Sequence, residues 1–333
     1  MKHFISAEQL THPQVEDFFL AADYMRAMDQ GSNVDRRELA QRHIGRQVIS
    51  LFYEPSTRTR ISFASAAKKL GIGDPSTENA REFSSAAKGE TVEDTIKNIF
   101  EYNVDALVIR HHETGAAARA VAAEEEAEEL AQAAGRFYRP LSIINAGDGK
   151  GEHPTQALLD AYTIYRHMRE QKSTSGLNGI DVVLGGDLRQ GRTVRSLAKL
   201  LGTYTANRLT FVSIPGFEIG DDIKQYLDEH DTEWSETSDI HQAVSEADVV
   251  YWTRLQKERI DNGVEPAQVQ ELIIEDSVME SMRPDAILMH PLPRVDEIAK
   301  SVDRDPRAAY FRQAGNGMYV RMALLDYFLG QNS

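Results

Sequence analysis

Apolar residues fall along this chain in short continuous runs, each followed by a polar or Gly-rich loop and then a helical pattern. The runs lie at residues 47–53, 106–109, 141–145, 180–184, 209–214, 248–253 and 286–289. Most are rich in Val, Ile and Leu without polar alternation, which is the pattern of strands covered by helices on both faces. Strand, loop and helix in succession predict an α/β chain of doubly wound parallel sheets. At ~150 residues per domain, 333 residues predict about two domains, with a break near the Gly-rich stretch 148–154.

Helix punctuation sharpens two segments. After the first run, Glu54 and Pro55 end the extended chain and Ser56 stands where an N-cap is wanted. The following helix is expected to bury Ile61, Phe63, Ala64, Ala67 and Leu70 and to stop at Gly71. Residues 116–136, AAARAVAAEEEAEELAQAAGR, are strong helix formers with Gly135 as the stop, and their Glu run predicts a solvated face. KSTSGLNG, after Gln171, reads as a surface loop.

Ligands of open α/β sheets sit beyond the carboxyl ends of the strands, so the residues after each run carry the information. The first run leads into STRTR, which places the hydroxyls of Thr57 and Thr59 and the guanidinium of Arg58 or Arg60 on the first helical turn. Cations normally favour the other end of a helix, so arginines here require an anion, and free N–H groups beside them suit phosphate. A capped helix with solvated arginines is the plainer alternative for this segment alone. The second run is followed by Arg110, His111 and His112; the third by AGDGKGEHPTQ, with Pro154 at the favoured first helical position and His153 and Gln156 on one side of the helix start. A pair such as His111 and His153 lacks the spacing of a zinc site, and a histidine that polarises a carbonyl fits better.

In the second half, Gly185, Gly186 and Gly191 do not match the G-x-G-x-x-G dinucleotide spacing, while Arg192 opens the next helix. Arg254 and Gln256 end the 248–253 run, and His290-Pro291-Leu292-Pro293 is a stiff turn that exposes backbone carbonyls to an amide donor. Four strand ends thus deliver Arg58, Arg110, Arg192 and Arg254. The sum implies a phosphate, carboxylates, one carbonyl to polarise and one amide to hold.

Composition narrows the field. With 37 basic and 52 acidic residues the net charge of -15 argues against a broad nucleic-acid surface, so an anion site must be a local basic pocket. No apolar run approaches the roughly 20 residues of a membrane span. Glu8 and Glu16 interrupt the N-terminal stretch where a signal peptide would be apolar, and a cytoplasmic protein is the default expectation. The chain has no cysteine, which excludes disulfides, thiolate metal sites and cysteine nucleophiles.

STRTR, HPTQ, GRTVRS, TRLQKER and HPLPRVDEI, in this order over nearly the whole chain, resemble the catalytic chains of the aspartate/ornithine carbamoyltransferase family, in its aspartate branch. The resemblance implies a carbamoyl-phosphate domain of residues 1–153 and 316–333, an aspartate domain of residues 154–315, and a C-terminal helix returning to the first. It implies condensation of carbamoyl phosphate with L-aspartate to N-carbamoyl-L-aspartate and phosphate, early in pyrimidine synthesis, with neither metal nor organic cofactor. Carried over, Ser56, Thr57, Arg58, Thr59 and Arg110 hold the phosphate; Thr59, Arg110 and His153 contact the carbonyl oxygen; Gln156 and the Pro291, Leu292 and Pro293 turn take the amide. Arg192, Arg254 and Gln256 bind the aspartate carboxylates, and FSSAAKGETVEDT resembles a mobile loop whose Ser84 and Lys88 reach a neighbouring subunit's site. A homotrimer with shared sites follows, with a regulatory or dihydroorotase chain as a further partner; the proton acceptor is left open. Transfer to ornithine or another amine is the nearest alternative. Those enzymes usually carry a Cys in the turn that here reads HPLP. A scaffold that had lost the reaction is the second alternative, and it should have lost some of Arg58, Lys88, Arg110, His153 and Arg254, all present here.

Overall fold

The computed structural model describes residues 1–77, 89–149, 151–172, 176–189, 191–254 and 272–330. They fall into two compact units, Met1–Thr155 with Gly317–Ser333, and Gln156–Asn316.

In the first unit, helices α1 (His12–Gln30) and α2 (Asn33–Gln41) precede β1 (Val48–Phe52), α3 (Thr57–Lys69), β2 (Ser76–Thr77) and α4 (Val92–Glu101). Then come β3 (Ala106–His111), α5 (Ala116–Ala133) and β4 (Ser142–Asp148). The sheet order is β2-β1-β3-β4, all parallel. Leu51, Leu107, Ile109 and Ile143 of the sheet pack with Ile96 and Phe100 of α4 and with the alanines of α5. Those alanines let the helix lie close to the strands, which is why so Ala-rich a helix can be buried.

The long helix α6 (Pro154–Lys172) leads into the second unit, where β5 (Asp181–Gly185), α7 (Arg192–Gly202), β6 (Arg208–Val212) and α8 (Asp221–Glu229) follow. After these come β7 (Glu233–Thr237), α9 (Ile240–Glu246), β8 (Val249–Trp252), α10 (Asp276–Ser281) and β9 (Ile287–Met289). The order β7-β6-β5-β8-β9 is again all parallel. Val183, Val212, Val250, Trp252 and Leu288 form its core with Val244 of α9 and Met279 of α10. Helix α11 (Tyr310–Gly330) starts in this unit and returns the chain to the first.

Each sheet has one place where the strand order reverses. From β1 the chain steps to β2 on one side and then to β3 on the other; from β5 it steps out to β6 and β7, then back to β8 and β9. The β1/β3 and β5/β8 carboxyl ends are therefore the topological switch points, where open α/β sheets bind ligands.

Several expectations are corrected. Arg110 and His111 lie within β3, not after it, and Arg110 is buried. Ile61 is exposed, while Thr59, Phe63, Ala66 and Ala67 form the buried face of α3. The Glu run of α5 is not wholly solvated: Glu124 is fully buried, ion-paired to Lys2 at 2.8 Å and close to His3. The glycines at the end of β5 serve packing, since a Cβ on Gly185 would lie 2.0 Å from the Trp252 ring. One on Gly186, at φ +99°, would lie 2.3 Å from the Thr253 carbonyl oxygen.

Candidate active site

In the first unit the site grows from the pairing of β1 with β3, which sets Phe52 beside Arg110 and lets the Tyr53 N–H donate to the Arg110 carbonyl at 2.8 Å. The chain then turns through Glu54 and Pro55 into α3. Ser56 is the residue before the helix, but its hydroxyl makes no bond to the helix N–H groups. It donates to the Thr59 hydroxyl at 3.0 Å, so no side-chain cap occupies the first turn, contrary to the capping expected from sequence. Thr59 itself is buried.

The two arginines of this turn have different surroundings. Arg60 lies near Asp74, whose carboxyl is raised by burial against the opposing effects of Ser50 and of the Arg60 charge. Arg58 is exposed by area, yet burial of part of its guanidinium lowers its proton affinity, and among the described residues it has no carboxylate partner. A cation at the positive end of a helix without a counter-charge is an electrostatic arrangement that an anion completes. Behind α3, Arg321 of α11 donates to the Ser62 hydroxyl at 2.8 Å and lies over the Phe63 ring, fixing the helix against the sheet.

Arg110 donates to the Ala146 carbonyl at 3.1 Å and pairs with Glu54 at 3.1 Å. His153 ends the loop after β4 and is buried, with Nδ1 3.4 Å from the Thr155 hydroxyl. That loop folds back on the strand, the Asp148 N–H donating to the Glu152 carbonyl at 3.3 Å. His111 Nδ1 accepts from the Glu113 N–H at 3.0 Å and its ring contacts Tyr53 and His112. Among the described residues no cluster of His, Asp and Glu could hold a metal ion.

In the second unit, Arg192 is the first residue of α7 and Arg254 stands two residues beyond β8. The two strands are paired up to Gly185 and Trp252, and the Thr253 N–H donates to the Gly185 carbonyl at 2.9 Å, so both arginines leave the same switch point. Ser84, Lys88 and Gln256 lie outside the described residues.

The His290–Pro293 turn follows β9. Leu292 has a φ of +55°, a left-handed conformation that costs a leucine about 1 kcal/mol or more. Its N–H donates to His290 Nδ1 at 2.8 Å, while His290 Nε2 is 2.8 Å from Glu297 Oε1. A nitrogen that accepts carries no proton, so His290 is the neutral Nε2–H tautomer donating to a carboxylate. Glu297 is buried: burial pushes its carboxyl up, and the bonds from His290 and from the Val295 N–H more than offset this, holding it below the usual range.

Sequence reading missed the residues that hold Gln156. Asp160, fully buried on α6, accepts from Gln156 Nε2 at 2.9 Å, Gln313 Nε2 at 2.6 Å and the Tyr251 hydroxyl at 2.8 Å. The spacing of Gln156 and Asp160, four apart on a helix, was a signal available in the sequence.

Two family models match the chain: the carbamoyl-phosphate-binding domain of aspartate/ornithine carbamoyltransferases over residues 2–166, and the Asp/Orn-binding domain over residues 178–328. The chain belongs to the aspartate/ornithine carbamoyltransferase family. It is similar to the chloroplastic aspartate carbamoyltransferase of Oryza sativa subsp. japonica, 46% identical over 98% of this chain and 84% of the relative. It is also similar to chloroplastic aspartate carbamoyltransferase 1 of Pisum sativum, 51% identical over 86% and 69%. Among carbamoyltransferases of known structure, it is similar to Trypanosoma cruzi aspartate transcarbamoylase in complex with carbamoyl phosphate and aspartate. That likeness has a TM-score of 0.81 and 34% identity over 98% of this chain and 96% of that one. The chloroplastic names of the plant carbamoyltransferases overturn the cytoplasmic expectation: an interrupted N-terminal apolar stretch speaks only to secretion.

Proposed function

We propose that this chain transfers the carbamoyl group of carbamoyl phosphate to the α-amine of L-aspartate, giving N-carbamoyl-L-aspartate and phosphate for pyrimidine synthesis. The observation that carries the reading is the placement of guanidinium groups at both switch points, Arg58 and Arg110 in one sheet, Arg192 and Arg254 in the other. One phosphate and two carboxylates are the charges such a set accommodates.

Ser56, Thr57, Arg58, Thr59 and Arg110 hold the phosphate in this reading, an assignment supported by the uncapped first turn of α3 and by Arg58's lack of a carboxylate partner among the described residues. Thr59, Arg110 and His153 donate to the carbamoyl oxygen, where negative charge grows as the amine adds to the carbon; donors aimed there stabilise the transition state most. Gln156 and the carbonyls of the His290–Pro293 turn accept from the carbamoyl NH2. Arg192, Arg254 and Gln256 take the aspartate carboxylates with the bidentate geometry guanidinium allows. The C–N bond forms, the C–O bond to phosphate breaks, and no side-chain nucleophile is involved. Ser84 and Lys88 complete a neighbour's site in a homotrimer, to which a regulatory or dihydroorotase chain can add.

Purified protein supplied with carbamoyl phosphate and, in parallel, aspartate, ornithine or putrescine tests the reading. Carbamoyl-aspartate is the expected product; turnover with ornithine alone overturns it, and turnover with none points to a scaffold.

A further inference from the structure

Several buried polar groups of the second unit form one continuous chain. Asp160 is at its centre, fully buried, accepting from Tyr251, Gln156 and Gln313. Tyr251, itself fully buried, has its hydroxyl pushed far above the ordinary range by burial and by the neighbouring Asp160 charge, so it remains a donor. A carboxylate can only accept, which fixes the orientation of both amides. One N–H of Gln156 is committed to Asp160, and the carbonyl oxygen, at the other corner of the amide, is the acceptor Gln156 can offer a ligand. The Gln313 nitrogen is likewise committed, and its oxygen accepts from the His290 N–H at 2.9 Å. His290 in turn holds the Leu292 N–H, so the chain ends on the turn whose carbonyls are the other acceptors.

We propose that Asp160 is a positioning residue for recognition of the substrate's NH2 group: it turns Gln156 to present an oxygen and, through Gln313 and His290, holds the 290–293 turn as a second acceptor. The proposal rests on the carbamoyl-phosphate reading above, and deepens it by naming what makes the site select an amide over a methyl group of the same size. Both glutamine nitrogens bond the same Asp160 oxygen, Oδ1, and Tyr251 bonds the other, so an Asn could keep both glutamine bonds; Asp160→Leu removes both acceptors. Gln156 then loses the partner that turns it, and a rotated Gln156 presents nitrogen to nitrogen. A site built around hydrogen bonds to a ligand NH2 rejects the analogue lacking it, because its buried acceptors go unpaired.

Calorimetric binding of phosphonoacetamide, of acetonylphosphonate, which has a methyl in place of the amide nitrogen, and of inorganic phosphate tests this on the full chain. Wild-type protein should prefer the amide at least tenfold. Asp160→Leu should lose about tenfold in affinity for phosphonoacetamide, with the other two ligands changed less than about twofold. General loosening of the unit would instead weaken all three together. Should Asp160→Leu fail to fold, Gln313→Leu, which keeps Asp160 bonded to Gln156 and Tyr251, should still lose several-fold of the preference. Wild-type protein without the preference overturns the carbamoyl-phosphate reading and the proposal with it. A preference present in wild type and undiminished in Asp160→Leu, or in Gln313→Leu where that variant must decide, overturns the positioning role alone.

Discussion

The two units share a topology and differ in how their polar groups are held. At β1/β3 the principal group is a charge: Arg58 sits at the positive end of α3 with no carboxylate partner among the described residues, beside an uncapped first turn. In the second unit the groups around Gln156 and the 290–293 turn are neutral acceptors, each oriented by a buried carboxylate, Asp160 or Glu297. Electrostatic attraction tolerates small displacements, since it falls slowly with distance. A hydrogen bond from a neutral amide does not, and it loses its value within a few tenths of an ångström or some tens of degrees. The first unit can therefore leave its arginine partly exposed, whereas the second needs a wired interior.

Removal of the Arg58 charge should therefore cost most. Arg58→Ala is expected to lower kcat/KM by about 10³ with little change in Tm, because on the proposed function it deletes a donor to the departing phosphate and, among the described residues, no structural ion pair; steady-state kinetics beside a melting curve check both halves. Next comes Glu297→Gln. Glutamine has one acceptor oxygen where Glu297 uses two, for His290 and Val295, so the turn loses one of its holds. A rise of roughly tenfold or more in KM for carbamoyl phosphate is expected, and an unchanged KM would show that the turn holds itself.

Arg60→Gln should invert the Arg58 pattern. Its neighbour Asp74 is half-buried and its carboxyl already raised, so removing the arginine charge costs about 1–3 kcal/mol of stability and less than tenfold in activity. The smallest effect is one of pH. The Glu297 carboxyl is held below its ordinary value of 4.5, so its contribution is complete above that pH and is lost as pH falls through the folded value. Each pH unit of depression is worth roughly 1.4 kcal/mol. Between about pH 5 and 3, Tm should fall less steeply in Glu297→Gln than in wild type.

What was legible in sequence follows the same division. The strands whose ends carry the arginines are long apolar runs, and the residues after them could be named without any tertiary information. Two strands were missed for a physical reason: β2 has only two residues, and β7, Glu233–Thr237, is a largely exposed edge strand paired on one side alone, so neither has an apolar run. Glu124 looked solvated because its partners, Lys2 and His3, are distant in sequence. The wiring was hidden likewise. Gln313 lies 153 positions from Asp160, and neither its burial nor that of Glu297 can be read from a chain in which both are ordinary surface residue types.

On the proposed function the two switch points take different substrates. Carbamoyl-phosphate binding and KM for aspartate, measured in Arg58→Ala and Arg254→Ala side by side, test that division. Arg58→Ala should lose carbamoyl-phosphate binding, whereas Arg254→Ala should bind it within about twofold of wild type and raise KM for aspartate by about 100-fold. Equal loss of carbamoyl-phosphate binding in both variants would contradict it.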